Sequence, residues 1–242
     1  VRTQFPMVEL LEPGRNLGFA GGNNFALRHL GFDANQEGQA EFVWLLNCDT
    51  KVLDDAPLQL LNHMRHKASV GAVGPKLLYG DFTLQHSAFA FPGLSQVALD
   101  LFPLSGRLLE SRLNGRYGSH LWQGTQPFEV DMLLGAALMI RGKAIAQIGL
   151  MDEGYFMYVE ELDWCRALRK AGWQSEVVPT SVVIHYGGQS TSQFRDRMFV
   201  ALWRSRLRYY QKWRSPAYLW LVRLLLRAGM AWKSQQVNKQ NN

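Results

Sequence analysis

Apolar residues along this chain gather into short unbroken runs separated by stretches of helical spacing. Phe42 to Leu46 has no polar alternation, as a strand covered on both faces requires. Ser69 to Val73 repeats that character and stops at Gly74-Pro75, while Phe128 to Ile140 is a longer strand-like stretch interrupted by Gly135-Ala136. Val8 to Leu11, Val177-Val178 and Val182 to Ile184 predict briefer strands, the last leading into His185. Residues 23–30, 55–67, 143–148 and 158–171 carry helical spacing, and two more helices are predicted over 194–213 and 216–233, parted at Ser215-Pro216. Residues 80–127 are irregular and richer in Gly, Pro and polar groups, so they predict an insertion or an active-site rim. Strands alternating with helices predict an α/β fold with a mostly parallel sheet flanked by helices.

Composition narrows this only a little. The chain has 242 residues, 47% of them hydrophobic, enough for one sizeable core and too many for a disordered or collagen-like chain. Cys48 and Cys165 are the only cysteines, which excludes a disulfide framework and a cysteine-rich metal site and points to cytoplasm-facing chemistry. There is no internal repeat and no apolar run of the ~18 residues that a membrane span needs, and no signal peptide is expected.

Charge changes the picture more. The net charge of +6 belongs to the C-terminal fifth, where residues 195–242 hold 11 Lys and Arg against one acid, Asp196. The remainder is mildly acidic, so the basic balance does not indicate nucleic acid, and no recognised nucleic-acid module accompanies it. Arg204, Arg206, Arg208, Lys212 and Arg214 interleave with Trp203, Leu207, Tyr209, Tyr210 and Trp213. Beyond Pro216, Arg223 and Arg227 share one helical face while Leu and Trp cover much of the rest. Such a segment reads either as an amphipathic helix lying in an anionic membrane interface or as a helix packed on the catalytic body or a second subunit.

Three clusters could carry chemistry. Asn47-Cys48-Asp49 follows a buried strand, where open α/β sheets place ligands, and Asp49 could hold a divalent cation on a diphosphate. Asn and Asp also end strands for turn geometry alone. Glu160, Glu161 and Asp163 lie within four residues beside Tyr155, Tyr158 and Trp164. Crowded carboxylates in a partly desolvated place are raised toward the range of a general base. A helix's first turn also favours acids, and Asp163 with Arg166 could simply be a pair. His185, after an apolar strand and before Gly187-Gly188, could ligate a metal or be structural. The glycines at 18–22 lack the spacing of a dinucleotide fingerprint and instead predict a close backbone approach or a sharp turn before a helix.

Taken in order, these segments resemble the inverting family 2 glycosyltransferases of the GT-A fold, in particular bacterial rhamnosyltransferase and galactofuranosyltransferase-like enzymes. The resemblance rests on Asn16 to Asn24, Leu45 to Thr50, Val73 to Leu78, Gly135 to Arg141, Met151 to Phe156, Tyr158 to Arg166 and His185 to Ser190. It implies Asp49 as metal-contacting acid with Asn47 beside it, His185 as second metal ligand, and Mn²⁺ or Mg²⁺ as cofactor. It also implies Glu161 at the usual catalytic-base aspartate, Glu160 as the preceding acid, and Asp163 as an acid orienting acceptor or loop. Gly135 and Ala136 would wall the donor-sugar pocket, Asn16, Gly21, Gly22 and Asn23 would face the nucleotide, and Tyr155, Tyr158 and Trp164 would border the acceptor.

The implied reaction is one direct displacement from a nucleotide-diphospho-sugar, most simply dTDP-L-rhamnose, onto a glycan or polyprenyl-linked acceptor in surface polysaccharide or cell-wall assembly. A galactofuranosyl or other UDP-sugar transferase and a non-catalytic, membrane-peripheral scaffold stay open beside it, as does self-association of the chain. The expected place is the cytoplasm, at the inner face of the cell membrane. Family members usually begin with a strand, a helix and a second strand, so residues 1–193 are expected to form a catalytic domain lacking those elements, incomplete by itself, with 194–242 as a helical extension.

Overall fold

The computed structural model describes residues 1–102, 105–187 and 195–240. Along the chain come α1 (Gly18–His29), β1 (Phe42–Leu46), β2 (Thr50–Val52), α2 (Ala56–His66), β3 (Val70–Leu78), β4 (Leu84–Gln85) and β5 (Ala88–Phe89). Next come α3 (Leu94–Leu101), α4 (Gly106–Leu109), a 3-10 turn at Arg112–Asn114 and α5 (Ser119–Gln123). Then come β6 (Phe128–Val130), β7 (Met132–Leu133), β8 (Ala137–Arg141), α6 (Gly142–Ile148), α7 (Glu160–Lys170), β9 (Gln174–His185), α8 (Arg195–Trp213) and α9 (Pro216–Gln240).

The main sheet has the order β1-β8-β3-β9-β2, with β4 added to β3 and β6 to β9. It is a mixed sheet rather than a mostly parallel one. β3 and β9 pair in parallel, but β8 runs antiparallel to both β1 and β3, and β2 and β6 run antiparallel to β9. Unbroken apolar runs report that both faces are covered, not which way a strand runs, so the direction of β8 was not visible in its pattern.

Successive residues of a strand point to opposite faces, and the core divides accordingly. Leu138 and Ile140 of β8 and Val177 of β9 join α1, α6 and α7 in the larger cluster, around Leu27, Ile145, Trp164 and Leu168. Met139 and Val178 face the other way, onto Leu60 and Met64 of α2. The buried Glu176 of β9 fixes α2 in place by accepting from His63 Nε2 at 2.7 Å and Lys67 Nζ at 2.5 Å.

Two sequence expectations change near the start. Val8 to Leu11 is not a strand, because no partner edge lies beside it among the described residues, and Val8 and Leu10 stand exposed. The glycine run forms the opening of α1 rather than a turn ahead of it. Gly18 has φ +71°, and a Cβ there would collide with the Phe156 carbonyl oxygen. The runs at 177–178 and 182–184 belong to the single strand β9, whose register with β3 shifts between them.

α8 and α9 pack onto the body. Trp203, Tyr209, Tyr210 and Val222 are buried against Val97, Leu101, Tyr155, Val159 and Leu162. Gly229 lets α9 approach α3 closely, since a Cβ there would sit 2.8 Å from the Leu101 Cβ. The division expected at 193/194 lies outside the described residues. Leu101→Ala should lower the unfolding free energy by about 2–5 kcal/mol, the cost of a buried leucine with partial collapse. Urea denaturation measures it, and a loss within error of zero would mean that α9 does not lie on α3.

Candidate active site

The pairing of β2 with β9 builds one end of the site. Its register sets Thr50 opposite His185, and Tyr186 N donates to Asp49 O at 2.9 Å. Asp49 Oδ1 thereby comes within 3.3 Å of His185 Nε2. His185 Nδ1 lies 3.0 Å from Gln85 Oε1. With its proton on Nδ1 and donated to Gln85, the imidazole turns the Nε2 lone pair toward a carboxylate oxygen. In that tautomer the Nε2 lone pair and the Asp49 carboxylate can share a metal ion, whereas in the other Nε2–H donates to Asp49. The sequence suggested Asp49 and His185 but not Gln85, a lone amide in an irregular segment.

Hard divalent cations such as Mg²⁺ and Mn²⁺ are often held by one or two protein groups, with substrate phosphates and water completing the shell. The Asp49–His185 pair fits that donor set. Among the described residues no cluster of three or more His, Cys, Asp or Glu side chains could hold a metal without such help.

A backbone hydrogen bond carries the site across the sheet. Asn47 N donates to Ala136 O at 2.9 Å, and Thr50 Oγ1 donates to Asn47 O at 2.6 Å. Asn47 thus acts through its main chain, joining the Asp49 turn to Gly135-Ala136. Both of these small residues are buried. A Cβ on Gly135 would lie 2.7 Å from the Phe19 ring and 3.7 Å from Glu161 Cβ. The start of α1, the approach to β8 and the start of α7 therefore meet at one residue that can have no side chain.

The glutamates open α7. Glu160 is 3% exposed whereas Glu161 keeps part of its surface, and one carboxylate oxygen of each is buried without a hydrogen-bond partner among the described residues. Burial first, and then the neighbouring charge of Glu161, push the Glu160 carboxyl well above its ordinary value, against the pull of the Glu160 and Tyr158 amides. Burial also raises Glu161, opposed by its own amide and that of Gly135. The pair is therefore reluctant to ionise twice.

The turn into α7 is strained. Tyr158 and Val159 are left-handed, with φ of 66° and 76°. Such a conformation costs of order 1–3 kcal/mol per non-glycine residue, and a β-branched valine adopts it rarely.

The other expected residues fall into two groups. Asn16 Oδ1 accepts from Gly18 N at 2.9 Å and so starts α1; Gly21 is buried, Gly22 exposed, and Asn23 donates to Phe19 O. The unassigned Asn24 is fully buried, bonding both main-chain atoms of Met151 and the Glu153 carboxylate, which bolts α1 to the segment entering the turn. A helix-disfavouring Asn-Asn pair was the available signal. Tyr155 and Trp164 are buried, the first donating to Asp163 and the second to Gly149 O, while Tyr158 is half-buried in the strained turn. Asp163 faces away from any open surface, accepting from Tyr155, Lys212 and Trp213.

No protein-family profile matches the sequence. The chain is 30% identical over 243 residues to an N-acetylglucosaminyl-diphospho-decaprenol L-rhamnosyltransferase of Mycobacterium tuberculosis, covering 96% of this chain and 76% of that one. It is 32% identical over 80 residues to rhamnosyltransferase WbbL of Escherichia coli, covering 33% of this chain and 30% of that protein. Among solved structures, GalNAc-T7 with UDP, GalNAc and Mn²⁺ superposes with a TM-score of 0.59 at 15% identity, covering 88% of this chain and 38% of that one.

The raised glutamates bear on stability. Their folded forms keep protons that the unfolded chain has lost, so stability is complete below the unfolded carboxylate range and declines as pH rises through the folded values. Glu160→Gln should therefore melt higher than the parent at pH 8 and like it at pH 4. Melting curves across that range check this, and parallel curves for the two proteins would refute it.

Proposed function

The chain belongs to the family 2 glycosyltransferases of the GT-A fold, and on that premise we propose that it transfers L-rhamnose from dTDP-L-rhamnose to a hydroxyl of a polyprenyl-diphosphate-linked saccharide, with inversion. The observation that carries this is the continuity of the two ends of the site. The Asp49–His185 pair leads through Asn47 and its hydrogen bond to Ala136 to Gly135, beside which Glu161 stands. Similarity to a rhamnosyltransferase whose name specifies N-acetylglucosaminyl-diphospho-decaprenol supports both the sugar and an acceptor on a polyprenyl diphosphate.

Asp49 and His185 would hold the Mn²⁺ or Mg²⁺, which when bound offsets the charge of the departing nucleoside diphosphate. Gly135, packed against the Phe19 ring, brings the main chain that leads from the metal end close to Glu161, where the donor sugar would lie. The Glu161 carboxylate accepts the proton of the acceptor hydroxyl while that oxygen attacks the anomeric carbon from the face opposite the diphosphate. The carbon–oxygen bond to the diphosphate breaks in the same step, so the configuration inverts and no covalent enzyme intermediate is needed. Glu161 stands beside Gly135, and burial raises its carboxyl, which strengthens it as a base. Glu160 keeps the pair from ionising twice.

The acceptor places the reaction at a lipid surface, and α9 supports docking at the cytoplasmic, anionic face. Trp220, Leu221, Leu224 and Met230 are exposed along it beside Arg223 and Arg227. No described helix is long and apolar enough to cross a membrane, so this contact would lie in the interface. Trp220→Ser with Leu224→Ser should abolish sedimentation with phosphatidylglycerol vesicles and leave the melting temperature unchanged. Retained sedimentation would remove α9 from the contact.

The deciding experiment incubates the protein with Mn²⁺, N-acetylglucosaminyl-diphospho-polyprenol and either dTDP-L-rhamnose or a UDP-sugar, with mass spectrometry of the product. A deoxyhexose added only from the dTDP donor is expected. Glu161→Gln should slow it roughly a hundredfold to ten-thousandfold, as loss of a general base does, and Asp49→Ala should remove the response to Mn²⁺. Transfer from UDP-galactofuranose instead would replace the donor, and donor turnover in neither case would sink the enzymatic assignment.

A further inference from the structure

The segment from Asp152 to Asp163 carries the left-handed Tyr158-Val159 pair and delivers the glutamates, yet little within it accounts for its shape. α8 holds it at three places. At one end Arg208 Nη2 donates to both oxygens of Asp152 at 2.8 and 3.0 Å, and Lys212 Nζ reaches the same carboxylate at 3.2 Å. In the middle, Ser205 Oγ donates to Met157 O at 2.9 Å, directly before the left-handed pair. At the far end Lys212 Nζ donates to Asp163 Oδ2 at 2.7 Å and Trp213 Nε1 to Asp163 Oδ1 at 2.6 Å. α1 grips the opposite side through Phe19 N to Phe156 O and Asn24 to Met151. Non-glycine residues keep positive φ only where surrounding structure enforces it.

We infer that Ser205, Lys212 and Trp213 are positioning residues, which hold the Tyr158-Val159 turn in the conformation that aims Glu160 and Glu161 at the substrates. The sequence assigns Lys212 and Trp213 only a membrane or packing role and does not single out Ser205. The inference builds on the assignment of the glutamates to proton transfer. Freed from α8, Val159 would relax toward ordinary backbone angles, and the first turn of α7 would lose its aim while the Asp49–His185 end stayed intact.

The test uses the full chain with Ser205→Ala, Lys212→Met and Trp213→Phe, and with Lys212→Arg as the conservative rescue. Ser205→Ala removes one hydroxyl and so folds even if Trp213→Phe, or Lys212→Met, which strips a cation from the buried Asp163 carboxylate, does not. Backbone hydrogen exchange over residues 155–163 should quicken by about tenfold or more while β3 and β9 keep their protection. In the sugar-transfer assay kcat should fall by about fivefold or more with the donor KM within about twofold, because binding at the metal end is untouched. Lys212→Arg should restore both readouts. Unchanged exchange and kcat in the folded Ser205→Ala and Lys212→Met proteins would overturn the inference. If the parent transfers no sugar, exchange alone decides: faster exchange upholds the positioning role and leaves the enzymatic assignment to fall by itself.

Discussion

The carboxylate of Asp163 governs how the C-terminal half of this protein is assembled. Its side chain is 5% exposed and sits one turn into α7, and a charge removed from water is tolerable only when donors surround it. Three side chains meet that need: Tyr155 from the turn before α7, and Lys212 and Trp213 from the end of α8. α8 must therefore lie across the entrance to α7. Once it does, Trp203, Tyr209 and Tyr210 have an apolar surface to cover, and α9 folds back over α3 to close it. The basic stretch that dominates the charge of the chain is thus partly consumed inside the molecule. Arg206 meets Asp100, and Arg208 and Lys212 meet Asp152 and Asp163.

What could be read from sequence follows from what periodicity encodes. β1, the first half of β3 and the helices around them were visible because burial on both faces, or on one helical stripe, leaves a pattern within a few consecutive residues. β3 runs on through Gly74-Pro75 to Leu78, and the 128–140 stretch divides into β6, β7 and β8. The direction of β8 left no such pattern, since it depends on how the irregular residues 80–127 route the chain. Val8 to Leu11 had the composition of a strand but lacks an edge to pair with, a property of the sheet rather than of the segment. The glycine run could be read as a place of close backbone approach, but its partner within the chain could not. Gly18 is needed where the Phe156 carbonyl crowds α1, from a segment more than a hundred residues away.

The candidate site was legible where its residues are consecutive or carry distinctive chemistry. Asp49, Glu160, Glu161 and His185 are acids and a histidine at element ends, and β-pairing brings the first and last of them together. Gln85, Asn24 and Ser205 were given no role because each acts only through long-range hydrogen bonds, on an imidazole, a loop and a carbonyl respectively. Trp164 and Tyr155 carry the opposite lesson. Aromatic neighbours of an acid suggested an acceptor platform, but their polar atoms are bonded inward to Gly149 and Asp163, and their rings belong to the core.

The two ends of the site are held by different physics. Asp49 and His185 stand on paired strands, where the register between β2 and β9 fixes their separation and no strain is stored. Glu160 and Glu161 stand on a helix entered through two left-handed residues, kept there by side chains from α1 and α8. In the proposed reaction the diphosphate end must present the same donors each time, which a sheet provides. The proposed proton-accepting end encloses two carboxylates that would rather be hydrated, and the turn that leads into α7 helps to bury them. Burial of the glutamates and strain at Tyr158-Val159 are therefore one feature seen twice. Relaxing the backbone would hydrate the carboxylates, return them toward ordinary acidity and remove the raised basicity that proton removal from a hydroxyl requires.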